Sequence, residues 1–150
     1  MADPLSLVET LQGLDIKSQA VEALSVHEED IADQIAGQLS AGVNGDGSSI
    51  EPEYAFLTVQ LKQGRQGLAG VTDRVTLFDT GDHYRELYAD VQGSGEVETG
   101  SHDEKSLDLQ TKYGEGIYQP GETARQNVID EGLRETWEQK ISDATGLEFD

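Results

Sequence analysis

The sharpest chemical spacing in the chain is Leu77-Phe78-Asp79-Thr80-Gly81. A carboxylate followed by a small hydroxyl residue and glycine suits a tight turn. Two such turns, one from each half of a dimer, would let two carboxylates share a proton, the acid–base pair that hydrolyses a peptide bond. The plainer reading is a turn or cap, with Gly81 free to take positive φ. His27, His83 and His102 lie far apart in sequence, and none has the spacing of a metal-binding pair. His83 with Asp79 and Asp82 can be drawn as a site, but a solvated turn accounts for them equally well. Asn44 to Ser49 has turn chemistry but fails as a calcium loop, because Ser49 stands where glycine is needed and Ala55 where the bidentate acid belongs. Gly64-Arg65-Gln66-Gly67 lacks the Lys-Ser ending of a phosphate loop, and no serine elbow is present. The residues therefore predict no catalysis, no cofactor and no metal.

Charge says more than any motif. Thirty acids against ten bases leave a net charge of -20. The acids are dispersed, with no block of five or six, and the bases are five Lys and five Arg. A compact domain with that charge repels itself unless salt screens it. Three origins fit such a charge: a halophile's solvated surface, an acidic mimic of nucleic acid, or a disordered acidic tail, and the dispersal argues against the tail. Dispersed acids with scarce lysine are expected of a protein that works in molar salt, and such a surface makes free nucleic acid a poor partner. Residues 1–60 carry net -10 and residues 86–150 net -11, whereas residues 62–85 carry net +1 and are rich in glycine. Lys62, Arg65, Gly67, Gly70 and Arg74 are accordingly the candidate partner-binding residues, against the plainer reading of a solvated loop whose arginines pair with acids elsewhere in the chain. The chain contains no cysteine, which excludes disulfides and thiolate ligands together. No basic segment leads into an apolar one at the N-terminus, and no apolar run approaches the roughly 18 residues a membrane crossing needs.

The 150 residues suit one domain with one core. Helices are expected from about 4 to 40. Asp3 and Pro4 open the first, with Leu5, Val8 and Leu11 on one face, and Val21 and Leu24 mark the next. A Ser25–Glu28 capping box leads into the stripe Ile31, Ile35, Leu39. A loop is expected at 41–50, then a helix or strand at 52–62 with Tyr54, Thr58 and Lys62 on one side, and a flexible loop at 63–73. A small, mostly antiparallel sheet region follows at 74–118. It has strands near 85–92 and 96–99 and at Ile117-Tyr118, with an inserted helix from Asp103 to Tyr113. An amphipathic helix from about 123 to 145 closes the chain, with Ile129, Leu133, Trp137 and Ile141 in steps of four. Trp137, the lone tryptophan, is read as core or subunit interface. The order predicts an α+β fold.

Asp79-Thr80-Gly81 resembles the signature of the aspartic proteases, which would here require a dimer. A broader pattern resembles the tail-completion, or virion morphogenesis, proteins of tailed viruses. It comprises an opening helix, the polar-Gly pair Asp46-Gly47, the stretch Tyr54 to Lys62 with its aromatic and lysine, and a Gly-rich loop. Leu77 and the turn Thr80-Gly81 come next, then a strand and hairpin, and finally Tyr113-Gly114. That resemblance spans about half the chain. It implies a cofactor-free structural protein in the neck of a virion, made in the host cytoplasm. There it would form a ring, usually of six copies, joining the head connector to the tail tube and meeting other neck and tail proteins. Taken with the charge, it points to a virus of a halophilic archaeon. The alternatives are another virion role (minor capsid or decoration), a cytoplasmic adaptor of a halophile, or the dimeric protease.

Overall fold

Ile31, Ile35 and Leu39 repeat every four residues, and all three are buried. They form the inner face of helix α3 (Glu28–Ser40), the spine of the computed structural model, which describes residues 4–149. Helices α1 (Pro4–Gly13) and α2 (Ile16–Ser25) precede it. Asp15 caps α2 by accepting a hydrogen bond from the Ser18 amide. The expected cap at Asp3 and the side chain of Leu11 lie outside the described residues. Leu5 and Val8 are exposed, so they do not form the inward face predicted for the first helix. Ala23, too small to stand out in the sequence, is the fully buried residue of α2.

The Ser25–Glu28 capping box does not form. Ser25 Oγ donates back to the Val21 carbonyl, and His27 occupies the position before α3. Glu28 instead accepts from the Val91 amide at 2.8 Å, tying the start of α3 to the sheet.

The sheet is a single antiparallel hairpin. Strand β1 (Leu87–Val91) pairs with β2 (Val97–Ser101) from Leu87 opposite Ser101 to Val91 opposite Val97. The turn between them places Gly95 at φ +92°, a conformation that favours glycine. The expected sheet region of 74–118 is thus mostly not sheet. A helical turn, α5 (Asp82–Arg85), occupies the start of the predicted first strand. Residues 115–118 form a 3₁₀ turn that buries Ile117 and Tyr118. Leu77, at φ +55°, breaks any strand at 75–77, and the amides of Thr76 and Leu77 are bonded by a side chain instead. The inserted helix is present as α6 (Ser106–Tyr113), ended by Gly114 at φ +88°.

The core joins the α3 stripe to Ile50, Val75, Leu77, Ala89, Ile117, Tyr118 and Val128. The fold is α+β, as expected. It is a helical layer packed on one hairpin.

The predicted C-terminal helix is a helical run in three parts. Helix α7 (Glu122–Val128) leads through a π turn (Ile129–Leu133) into α8 (Arg134–Thr145), and Gly146 at φ +71° stops it. A π turn inserts an extra residue, so the stripe Ile129, Leu133, Trp137, Ile141 does not stay on one face. None of the four is buried; Ile129 is exposed and the other three are half-buried.

The π turn packs closely against the start of α3. A Cβ on Gly132 would lie 2.4 Å from Cε1 of His27. His27 in turn joins Asp30 Oδ2 through Nδ1 (2.6 Å) and Thr136 Oγ1 through Nε2 (2.9 Å), which ties the start of α3 to α8. Gly132→Ala is expected to lower stability by about 1–3 kcal/mol through overpacking against a ring that cannot withdraw without losing both bonds. Urea unfolding checks this. A midpoint unchanged from the parent would mean that the His27 ring yields to the added methyl without cost.

Candidate functional site

The Asp-Thr-Gly segment and the glycine-rich loop meet at one place in the fold. Helix α4 (Phe56–Lys62) runs above the segment 77–83, and between them and α6 lies a cavity of about 310 Å³. Leu61, Leu77, Phe78, Leu109 and Tyr113 form its apolar wall, while Lys62, Asp79, His83 and Lys105 supply polar groups.

Helix α4 is oriented against its own polarity. Tyr54, Thr58 and Lys62 share one side, as their spacing predicts; that side faces inward, which turns Phe56, Leu57 and Leu61 out to solvent. The inward lysine explains the arrangement. Lys62 is 5% exposed, and its Nζ donates to the carbonyls of Phe78 (2.7 Å) and Ala69 (3.0 Å). The same ammonium lies over the Tyr54 ring, 5.1 Å from its centre, a cation–π arrangement. Tyr54 Oη accepts from the amides of Thr76 and Leu77, both at 3.0 Å. Lys62 and Tyr54 together therefore satisfy the backbone groups of an irregular, half-buried segment that has no sheet partner.

The loop expected at 63–73 holds a helical turn and close packing. Residues 67–70 form a 3₁₀ turn, and Gly70 packs so closely that an added Cβ would lie 2.1 Å from the Arg65 carbonyl oxygen. Of the five candidate partner-binding residues, Lys62 is buried and cannot meet a partner without opening the loop. Arg65 pairs with Asp79, donating to its side chain and, at 2.9 Å, to its carbonyl. Arg74 donates through Nε to the Ser40 carbonyl at 2.8 Å and pairs with Asp73. Gly70 is enclosed, and Gly67, at φ +61°, has open space above it. The charges of residues 62–85 are thus spent largely on one another.

Asp79 is held ionised. The hydrogen bond from Arg65 lowers its pKa below the usual value of 3.8, against a smaller opposing effect of burial. A carboxylate pair that shares a proton needs the opposite condition. Because the folded value is depressed, this group stabilises the fold above the unfolded value of 3.8, and the contribution is lost as pH falls through the lower folded value. An NMR titration of the Asp79 carboxyl is expected to show a midpoint below 3.8 in the parent protein and a higher one in Arg65→Gln. Equal midpoints in the two proteins would remove Arg65 as the cause.

The neighbouring acids are also engaged. Asp82 accepts from Thr80 Oγ1 at 2.5 Å and pairs with Arg85, and Asp103 accepts from the Lys105 amide at 2.8 Å. His83 is buried behind them, and burial pushes its pKa down, so the ring is neutral near pH 7. Its Nε2 stands 3.4 Å from Tyr118 Oη, which in turn lies 3.0 Å from Ser106 Oγ. Its Nδ1 has no partner among the described residues. The sequence suggested His83 only through its nearness to Asp79 and Asp82. The cluster that holds it, Tyr118, Ser106 and Ser101 (whose Oγ donates to the His83 carbonyl), comes from residues 18 to 35 positions away and had no local signal.

Among the described residues no group of three or more His, Asp or Glu is placed to hold a metal ion. No helix among them is long and apolar enough to cross a membrane. Trp137 is half-buried on α8, and its Nε1 is shut off from solvent without a partner among the described residues. No protein-family model, curated protein or solved structure matches the chain.

Proposed function

We propose that this chain is a structural subunit of the neck of a tailed virus, forming a ring between head connector and tail tube in a salt-rich setting. The observation that carries the reading is the outward face of α4. Phe56 is 80% exposed, Leu57 68% and Leu61 69%, side by side on two turns of one helix. At roughly 150–200 Å² for a whole large side chain, they expose several hundred Å², the size of the largest apolar patch on a typical folded domain, which is often functional. The cavity beside them offers engaged acids and a buried neutral histidine. This favours a function that lies in surfaces.

Charge supports the salt-rich setting. Copies at net -20 repel at low ionic strength and cannot bring apolar faces together. In molar salt the screening length falls to about 3 Å, so the repulsion fades while apolar contacts persist. Assembly then depends on salt in the sense opposite to that of an ion-paired interface.

Light scattering of the purified protein in molar salt, with negative-stain images of the same sample, tests the proposal. A closed ring of about six subunits supports a neck role. A monomer moves the reading to a decoration protein or adaptor, and a clean dimer that cleaves peptide returns attention to Asp79.

A further inference from the structure

We infer that the outer edge of β2 takes a third strand, supplied by residues 147–149 of a second copy, whose apolar side chains fill the groove beside that edge. This inference rests on the self-assembling reading above and names one contact that would carry it. Within the hairpin the Gln92 amide donates to the Glu96 carbonyl at 2.8 Å, and the His102 amide donates to the Glu86 carbonyl at 2.9 Å. In the register that sets Leu87 opposite Ser101, the bonded pairs therefore fall on even-numbered residues. Val97 and Thr99 turn their main-chain groups the other way, and neither amide nor carbonyl of either has a hydrogen bond among the described residues. The Thr99 hydroxyl is spent inward, on the Tyr118 carbonyl at 2.7 Å. The outer edge of β1 is closed differently. Glu28 accepts from the outward Val91 amide at 2.8 Å, and the hollow beside that edge is lined by Glu28, Glu29 and Asp33. A row of unpaired main-chain groups is a template for an extended chain, so the β2 edge asks for a strand.

The groove holds about 580 Å³ and is walled by Leu24, Ile31, Val97, Val128, Ile129 and Leu133. Val97 and Thr99 both line it. Residues opposite each other in a bonded antiparallel pair put their side chains on the same face, so an added strand sends every second side chain into the groove. The occupant must therefore offer extended backbone with exposed apolar residues two apart. Among the described residues the exposed large apolar side chains lie on helices or their turns, except Leu147 and Phe149. Gly146, at φ +71°, ends α8 and turns this segment off the helix, and Glu148 between the two is exposed. The Leu147 amide is held only by the exposed Thr145 hydroxyl at 3.2 Å, a local bond that pairing replaces. Leu147 opposite Thr99 and Phe149 opposite Val97 gives main-chain bonds at both pairs and places both side chains in the groove. From Leu133 to Gly146 the helix rises about 20 Å, whereas residues 147–149 reach about 10 Å, so a subunit's own segment stops short of its own groove. A neighbour supplies the strand, in a heterologous contact that repeats head to tail. Main-chain pairing and apolar burial both persist in molar salt.

Ending the chain at Gly146 removes the strand and keeps the residue that caps α8. The removed side chains are exposed, so the truncated subunit is expected to melt as the parent does and to lose assembly in molar salt. A synthetic peptide of residues 144–150 is then added in large excess to isotope-labelled truncated protein. NMR is expected to show shifts confined to β2 and the groove, with the Val97 and Thr99 amides exchanging about tenfold more slowly. The same peptide N-methylated at Leu147 and Phe149 keeps both side chains but loses two donors, and it is expected not to bind. Equal binding of the two peptides, or no shift with either, overturns the strand pairing. A truncated chain that assembles like the parent overturns this contact and leaves the ring reading standing. Slow exchange of the same two amides in dilute full-length monomer would place a subunit's own segment in the groove and overturn the exchange between copies. A full-length chain that stays monomeric in molar salt overturns the ring and this contact together.

Discussion

Replacing Lys62 with Met is expected to lower stability by about 2–3 kcal/mol. A hydrogen bond to a charged group contributes about 1.5–3 kcal/mol, and a buried acceptor left without a donor costs about 1–3 kcal/mol. Met keeps most of the volume of the side chain, so the change isolates the loss of the ammonium. Lys62 Nζ serves the carbonyls of Ala69 and Phe78, which belong to the glycine-rich loop and to the segment leading into Asp79. Removing a buried charge also recovers solvation, and where two carboxylate-paired ions are replaced by apolar groups that recovery can win. Here both acceptors are backbone carbonyls that the substitution leaves behind without a replacement, so the loss dominates. In a domain of this size the expected shift is a melting temperature lower by roughly 4–12 °C. Hydrogen exchange should show the amides of residues 64–71 opening first. A melting point within a degree of the parent would show that the ammonium holds neither carbonyl in solution.

The second large effect concerns assembly. On the proposed self-assembly, Phe56→Asp combined with Leu57→Asp is expected to weaken association in molar salt by on the order of a hundredfold or more. Buried apolar anchors at the centre of an interface carry about 2 kcal/mol or more each, and every 1.4 kcal/mol is tenfold in affinity. Both side chains are exposed in the subunit, so its own stability should change by no more than about 0.5 kcal/mol. Sedimentation of parent and variant at equal concentration, with a melting curve for each, separates the two effects. A variant that assembles like the parent removes α4 from the interface. One that melts much earlier would show that Phe56 and Leu57 support the fold instead.

The two predictions concern opposite faces of one helix, which shows where sequence reasoning stopped. Tyr54, Thr58 and Lys62 share a side, and that much follows from spacing alone. Which side faces inward does not. Hydrophobic patterning would bury Phe56, Leu57 and Leu61, and on that rule a lysine marks the solvent face. The tertiary structure reverses it because residues 69–78 supply backbone carbonyls and amides with no strand to pair with, and Lys62 and Tyr54 satisfy them.

The conformation of the loop was hidden for a related reason. Gly64, Gly67 and Gly70 give permissive backbone, and permissive backbone is as compatible with a tight 3₁₀ turn as with mobility. The choice came from Lys62 reaching Ala69 and from Arg65 pairing with Asp79, contacts of 7 and 14 residues' separation.

By itself the sequence determined the net charge of -20, the absence of thiol chemistry, the buried stripe Ile31, Ile35, Leu39 and the helix that ends at Gly114. All of these depend on composition or on residues within a few positions of each other. Only the tertiary structure decided that the C-terminal run breaks at a π turn and that Gly132 there packs against His27, more than a hundred residues earlier. It also decided that the arginines of the glycine-rich stretch pair with acids of the same segment, and that an apolar ridge and an apolar groove are left open on different parts of the surface. Packing decides which member of a local pattern is covered, and what covers it comes from elsewhere in the chain.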